Sequence, residues 1–143
     1  MKRASLPVFV MVCLVNSTTA QDSTHRSATV ASGQQVRINA HFNLNKDCSP
    51  GAAPDLRVIT SPKNGTLSIR SGNARAPRFR DCQNIDVPAR LVFYESNRGY
   101  SGEDHVAYEL KKADGMIEIQ NITILVTPSS ATPGREKVDK IDL

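Results

Sequence analysis

Tryptophan is absent, and the 143 residues hold only three tyrosines, four phenylalanines and three cysteines. So few aromatic faces leave little from which to build a sugar-stacking platform. No two cysteines stand in C-x-x-C spacing, which excludes a thioredoxin-type redox pair and a zinc ribbon. The three histidines, His25, His41 and His105, are not spaced with another histidine, a cysteine or an acid as a ligand pair, so no metal is expected. Gly99-Tyr100-Ser101-Gly102 lacks the Gly-x-Ser-x-Gly spacing and the following helix of a nucleophile elbow. No stretch keeps a helical period for three turns. The sequence therefore offers no cofactor, no metal site and no catalytic residue, and the chain is expected not to be an enzyme.

The longest apolar run, Leu6 to Val15, has ten residues, about half of what spans a bilayer. It follows Lys2 and Arg3 and precedes the small polar end Thr18-Thr19-Ala20, which is the three-part form of a secretory signal. Residues 1–20 are read as a cleaved signal peptide, with no stable membrane insertion afterwards and a periplasmic or secreted destination. Removal of those twenty residues leaves 123, with 16 Lys+Arg against 14 Asp+Glu. That near-neutral balance and the compartment disfavour nucleic acid as a partner. The two remaining cysteines, Cys48 and Cys82, are expected to pair in an oxidising compartment. Closing their span of 34 residues is worth roughly 3–4 kcal/mol on the chain-entropy view.

Residues 21–29 are polar and rich in Ser and Thr and read as a flexible leader with at most a short edge strand. From 128 the chain becomes a Pro/Ser/Thr linker and then alternating charges, expected to be a disordered tail to 143. The folded body is placed at 30–127. Within it, short period-two runs recur between turn signals, so the class is all-β. Residues 35–42 alternate. Leu56–Thr60, the turn 61–65 and Thr66–Ile69 read as strand, turn, strand, with Asn64-Gly65 supplying positive φ angles. Residues 70–88 read as an irregular excursion pinned by Cys82. The apolar residues of 90–94 occupy both parities, as in a strand buried on two faces or turning a corner. A long hairpin follows, from His105 to Leu110 and from Met116 to Val126 around Asp114-Gly115. Ile117 and Ile119 share one parity while Ile122, Ile124 and Val126 share the other, which predicts a β-bulge at Gln120-Asn121. About seven antiparallel strands in under a hundred residues point to a single sandwich.

The order Ser61-Pro62-Lys63-Asn64-Gly65-Thr66-Leu67, Val92-Phe93-Tyr94, Gly99-Tyr100-Ser101-Gly102-Glu103-Asp104-His105-Val106-Ala107-Tyr108 and Asp114-Gly115 resembles bacterial immunoglobulin-like and cadherin-like domains of secreted and surface proteins. The resemblance covers about 70 of the 123 mature residues. It implies an immunoglobulin-like sandwich with Asp104 at a loop-to-strand corner and Tyr108 filling the core. The Tyr108 hydroxyl is expected to return to a nearby backbone group, as in a tyrosine corner. Four features depart from the pattern: the single copy, the missing cysteine pair around a core tryptophan, the Arg-rich stretch 70–90, and the Cys48/Cys82 pair. Cadherin-like relatives often bind calcium between adjacent domains; Glu103, Asp104 and Asp114 are read instead as corner and turn residues.

Charge is the feature most open to a functional reading. Residues 21–102 carry 11 basic and 6 acidic side chains, while 103–143 carry 5 and 8. Arg70, Arg75, Arg78, Arg80 and Arg90 concentrate in the excursion, and guanidinium groups suit carboxylate or phosphate partners. The expected function is a non-catalytic binding or interaction module that contacts a protein or an anionic envelope component through these loops. The alternatives are a small envelope hydrolase or enzyme accessory subunit with a loop-built site, and a purely structural assembly unit.

Overall fold

The computed structural model describes residues 22–76, 82 and 84–130. The signal peptide expected at 1–20, Arg78 and Arg80, and the part from 131 onward of the tail expected at 128–143 lie outside the described residues. Seven strands run in order: β1 Asp22–Ala31, β2 Gln35–Phe42, β3 Asp55–Thr60, β4 Gly65–Ala76, β5 Ile85–Ser96, β6 Gly102–Lys111 and β7 Ile117–Thr127. Among the described residues there is no helix. The strands form a sandwich of two sheets, β1-β7-β6-β3 and β2-β5-β4. The placement of β2, β5 and β4 opposite β7, β6 and β3 is the strand partition of the immunoglobulin-type sandwich. Here the first strand lies on the second of these sheets, beside the last.

The β1 and β7 strands pair in parallel over ten residues, so the sandwich is not antiparallel throughout and residues 22–29 are not a loose leader. The alternation test misses this strand because it is a sheet edge with mostly exposed side chains, held by backbone hydrogen bonds that carry no sequence pattern. Val30, at its end, does reach the core.

Tyr94, Tyr108, Val92, Val106, Ile122, Ile124 and Val126 fill the space between the sheets, with Val36, Ile38, Leu56, Leu67 and Ile69 packed against them. In β7 the inward parity never changes: Gln120, Ile122, Ile124 and Val126 are buried, and the β6–β7 register is continuous from Gly102↔Val126 to Lys111↔Ile117. The expected bulge at Gln120-Asn121 is therefore absent. Ile117 simply faces outward at 44% exposure, and a polar residue, Gln120, occupies the inner position that an apolar one would have marked. Register shifts occur instead between Arg37 and Asn39 in β2 and between Val58 and Thr60 in β3.

Two further expectations are corrected. The β3 and β4 strands belong to different sheets, so 61–64 is a crossover rather than a hairpin turn. Gly65 does not have positive φ. It is required for space, because a Cβ there would lie 2.5 Å from the Glu95 carbonyl oxygen and 2.6 Å from the Tyr94 ring. Nor are 70–76 and 85–88 irregular. The β4 and β5 strands pair without a break from Gly65↔Ser96 to Ala76↔Ile85, which makes a long hairpin arm. Along β5 the buried residues move from Val87 and Ala89 to Val92 and Tyr94, so the strand does exchange one buried face for the other near Arg90.

Candidate functional site

The disulfide Cys48–Cys82 joins the 43–54 loop to the far end of the β4–β5 arm, with Cα atoms 5.4 Å apart. Such a bridge belongs to an oxidising compartment. The loop is itself ordered by Asn45 N–H to the Ser49 carbonyl, Cys48 N–H to the Asn45 carbonyl and Gly51 N–H to the Asn43 carbonyl, all near 3.0 Å, and Cys48 takes φ 67° to close it. Asp47 accepts from the Ser49 hydroxyl and N–H, which holds its carboxyl below the usual range.

Of the arginines singled out in the sequence, the three described ones, Arg70, Arg75 and Arg90, are not gathered into one cluster. Arg70 pairs with Leu91 and Arg90 with Ser71, so their side chains leave opposite faces of the hairpin. Arg70 lies over the Phe93 ring, 4.8 Å from its centroid. Arg90 reaches the Pro54 carbonyl oxygen at 3.4 Å and the Ser71 hydroxyl, so it serves to hold the 43–54 loop. Arg75 is exposed opposite Asp86.

Between the 43–54 loop and the β6–β7 turn lies a cleft of about 520 Å³. The turn is closed by Lys112 N–H to the Met116 carbonyl and Gly115 N–H to the Lys112 carbonyl; Gly115 has φ 83°, and the Asp114 carboxylate accepts from Met116 N–H at 2.9 Å. His41, Phe42 and Leu110 form the floor, with Leu44, Pro54, Lys46 and Lys112 around it.

Behind the floor sits a polar group that the sequence did not mark. The Tyr108 hydroxyl turns to β2 rather than to backbone: it receives the Asn39 amide N–H at 3.1 Å and lies 2.7 Å from His41 Nε2. Asn39 Oδ1 is occupied by Ala40 N–H, which fixes the orientation of its amide. With one donor already on its oxygen, the tyrosine has its own proton free for His41 Nε2. The imidazole is thereby assigned the neutral tautomer with the proton on Nδ1. Burial, then the Arg26 cation, push the His41 pKa down to about 4 against the pull of Glu118. Burial raises the Tyr108 hydroxyl to about 12. Glu118 is held low chiefly by Lys112, whose Nζ is 2.6 Å away and which is raised in turn by the same contact. Gln120, 3% exposed, donates to Glu118 at 2.6 Å while its Oε1 has no partner among the described residues.

The remaining corner residues act at the opposite end. Asp104, 2% exposed, accepts Lys63 N–H, Asn64 N–H and His105 N–H at 2.8–2.9 Å and the Tyr94 hydroxyl at 3.0 Å. Burial opposes its charge, but these donors outweigh it and hold the carboxyl below its ordinary value. The tyrosine that returns to local backbone is Tyr100, whose hydroxyl donates to the Glu103 carbonyl at 2.7 Å. His105 touches Thr123 at 3.3 Å, and among the described residues Ser101 has no side-chain hydrogen bond and no group of three metal-ligating side chains occurs.

No family model and no curated protein matches the chain. The solution structure of amebosin is similar over 76% of this chain and 100% of its own, at 11% identity and a TM-score of 0.42, too distant a likeness to bear on function.

Proposed function

We propose that the protein is an exported binding module, matured after Ala20 and resident in the periplasm or the medium, of the immunoglobulin-like and cadherin-like class that its 61–115 pattern resembles. It works without catalysis, and its partner is a protein or an anionic envelope component. The observation that supports this most is the disulfide-stapled end. The Cys48–Cys82 bridge braces the 43–54 loop against the far end of the β4–β5 arm. A rigid scaffold presenting a long loop is the usual arrangement of a binding surface. Arg75, with Arg78 and Arg80 nearby in sequence, supplies the cations for an anionic partner.

The test is affinity capture from envelope extract with the purified mature protein. A defined partner should be retained by the wild type and lost when Arg75, Arg78 and Arg80 are replaced by Ala, with the melting temperature nearly unchanged. Equal capture by the triple variant would reject this surface.

A further inference from the structure

Resting on the same binding-module reading, we propose that the cleft between the 43–54 loop and the β6–β7 turn binds a small organic carboxylate with an apolar body. Its volume of about 520 Å³ is that of a small-molecule site. The lining divides into two chemistries. Phe42, Leu44, Pro54 and Leu110 give an apolar wall and floor that an aliphatic or aromatic body would cover. Of the charged groups around them two are cations, Lys46 and Lys112, and one is a carboxylate, Asp114.

Lys46 is exposed and its ammonium has no hydrogen-bond or ion-pair partner among the described residues. Lys112 gives one proton to Glu118 and keeps two. His41, committed at Nε2 to the Tyr108 proton, presents an Nδ1–H with no partner among the described residues. The acid on the rim, Asp114, is turned to Met116 N–H. The side-chain amides of Asn43 and Asn45 each give one proton, to the Ala52 carbonyl and the Ser49 hydroxyl, and keep one, so that Lys46 and Lys112 are the cationic donors of the cleft. Cationic donors lining an apolar cleft favour a carboxylate over an amine, and the apolar surface favours an organic anion over phosphate. Two sources carry this chemistry, a free acid and the C-terminal carboxylate of a peptide.

Nuclear magnetic resonance titration of the full mature chain decides the matter, with sodium hexanoate, N-acetyl-leucine, hexanamide and inorganic phosphate as probes. Saturable shifts at the His41, Lys46 and Leu110 amides are expected with a carboxylate, with affinity about tenfold above hexanamide and above phosphate. Lys46→Ala, an exposed substitution that leaves the fold intact, should weaken the carboxylate about fivefold or more. Preference for N-acetyl-leucine over hexanoate assigns the peptide terminus, and the reverse assigns a free acid. No saturable shift, equal binding of hexanamide, shifts confined to another surface, or an unaltered affinity in Lys46→Ala would overturn the proposal. Envelope capture by the arginine surface without carboxylate binding refutes the cleft alone; carboxylate binding without capture refutes the macromolecular partner alone.

Discussion

Acidification is expected to weaken the fold through His41 before any carboxylate in the core responds. The imidazole accepts the Tyr108 proton at Nε2 while Asn39 donates to the same hydroxyl oxygen. A protonated ring would have to donate where it now accepts, leaving the Tyr108 proton without an acceptor, and would add a cation near Arg26. The folded pKa of about 4 lies below the ordinary 6.5, so the unfolded chain takes up the proton first. His41 is neutral in both states above 6.5 and costs nothing there. As pH falls from 6.5 towards 4 the unfolded state gains progressively, and below 4 the loss levels off. The full interval corresponds to at most about 3.4 kcal/mol at 1.36 kcal/mol per decade. Because the ring is still partly open to water, screening reduces this to about 1–2 kcal/mol. Asp104 and Glu118 have lowered pKa values, so their stabilisation is present above the ordinary carboxylate range and is lost only as pH falls through values below it. The two windows separate. Urea unfolding at about pH 7.5, 6.5, 5.5 and 4.5 should show the wild type losing about 1–2 kcal/mol more than His41→Gln across that range. Parallel pH slopes in the two proteins, or a His41 ring resonance that titrates near 6.5, would refute the hydrogen-bond assignment and the burial together.

Two other substitutions test the corners. Asp104→Ala removes the acceptor for three backbone N–H groups and the Tyr94 hydroxyl in a site with 2% exposure, and should cost about 3 kcal/mol in urea unfolding, with Asp104→Asn in between. Gly65→Ala and Gly115→Ala are expected to fail for different reasons: the first drives a methyl into the Glu95 carbonyl and the Tyr94 ring at a cost of about 2–3 kcal/mol, the second meets nothing within 4 Å and costs about 1 kcal/mol through its φ of 83° alone. Thermal melts of Gly65→Asn and Gly115→Asn separate the two, since asparagine tolerates the left-handed conformation and should recover stability only at 115.

What was legible in the sequence follows from how each feature is encoded. The all-β class, the sandwich, the disulfide and the hairpin around Asp114-Gly115 rest on side-chain pattern and turn chemistry, which are local, and each is present in the structure. Sheet membership is not local. Nothing between Thr60 and Gly65 distinguishes a hairpin from a crossover, because either needs a tight connection; the difference is made by Asp104, forty residues on, which caps the 63–64 backbone. Strand β1 escaped because a parallel edge strand needs only backbone groups from itself and apolar residues from its neighbour. The polar group behind the cleft escaped for a related reason. His41, Asn39, Tyr108, Glu118 and Gln120 come from three strands, and each is unremarkable alone: a histidine without a ligand spacing, an amide in a polar run, a tyrosine assigned to the core. Gln120 carried a usable sign. Ile117 and Ile119 at one parity and Ile122, Ile124 and Val126 at the other predict a change of face, yet the same pattern arises in an unbroken strand whose inner position is filled by a buried amide, Gln120. A single out-of-phase polar residue in a core strand therefore has two physical causes, and a second polar residue at the same parity, here Glu118, favours the polar interior over the bulge.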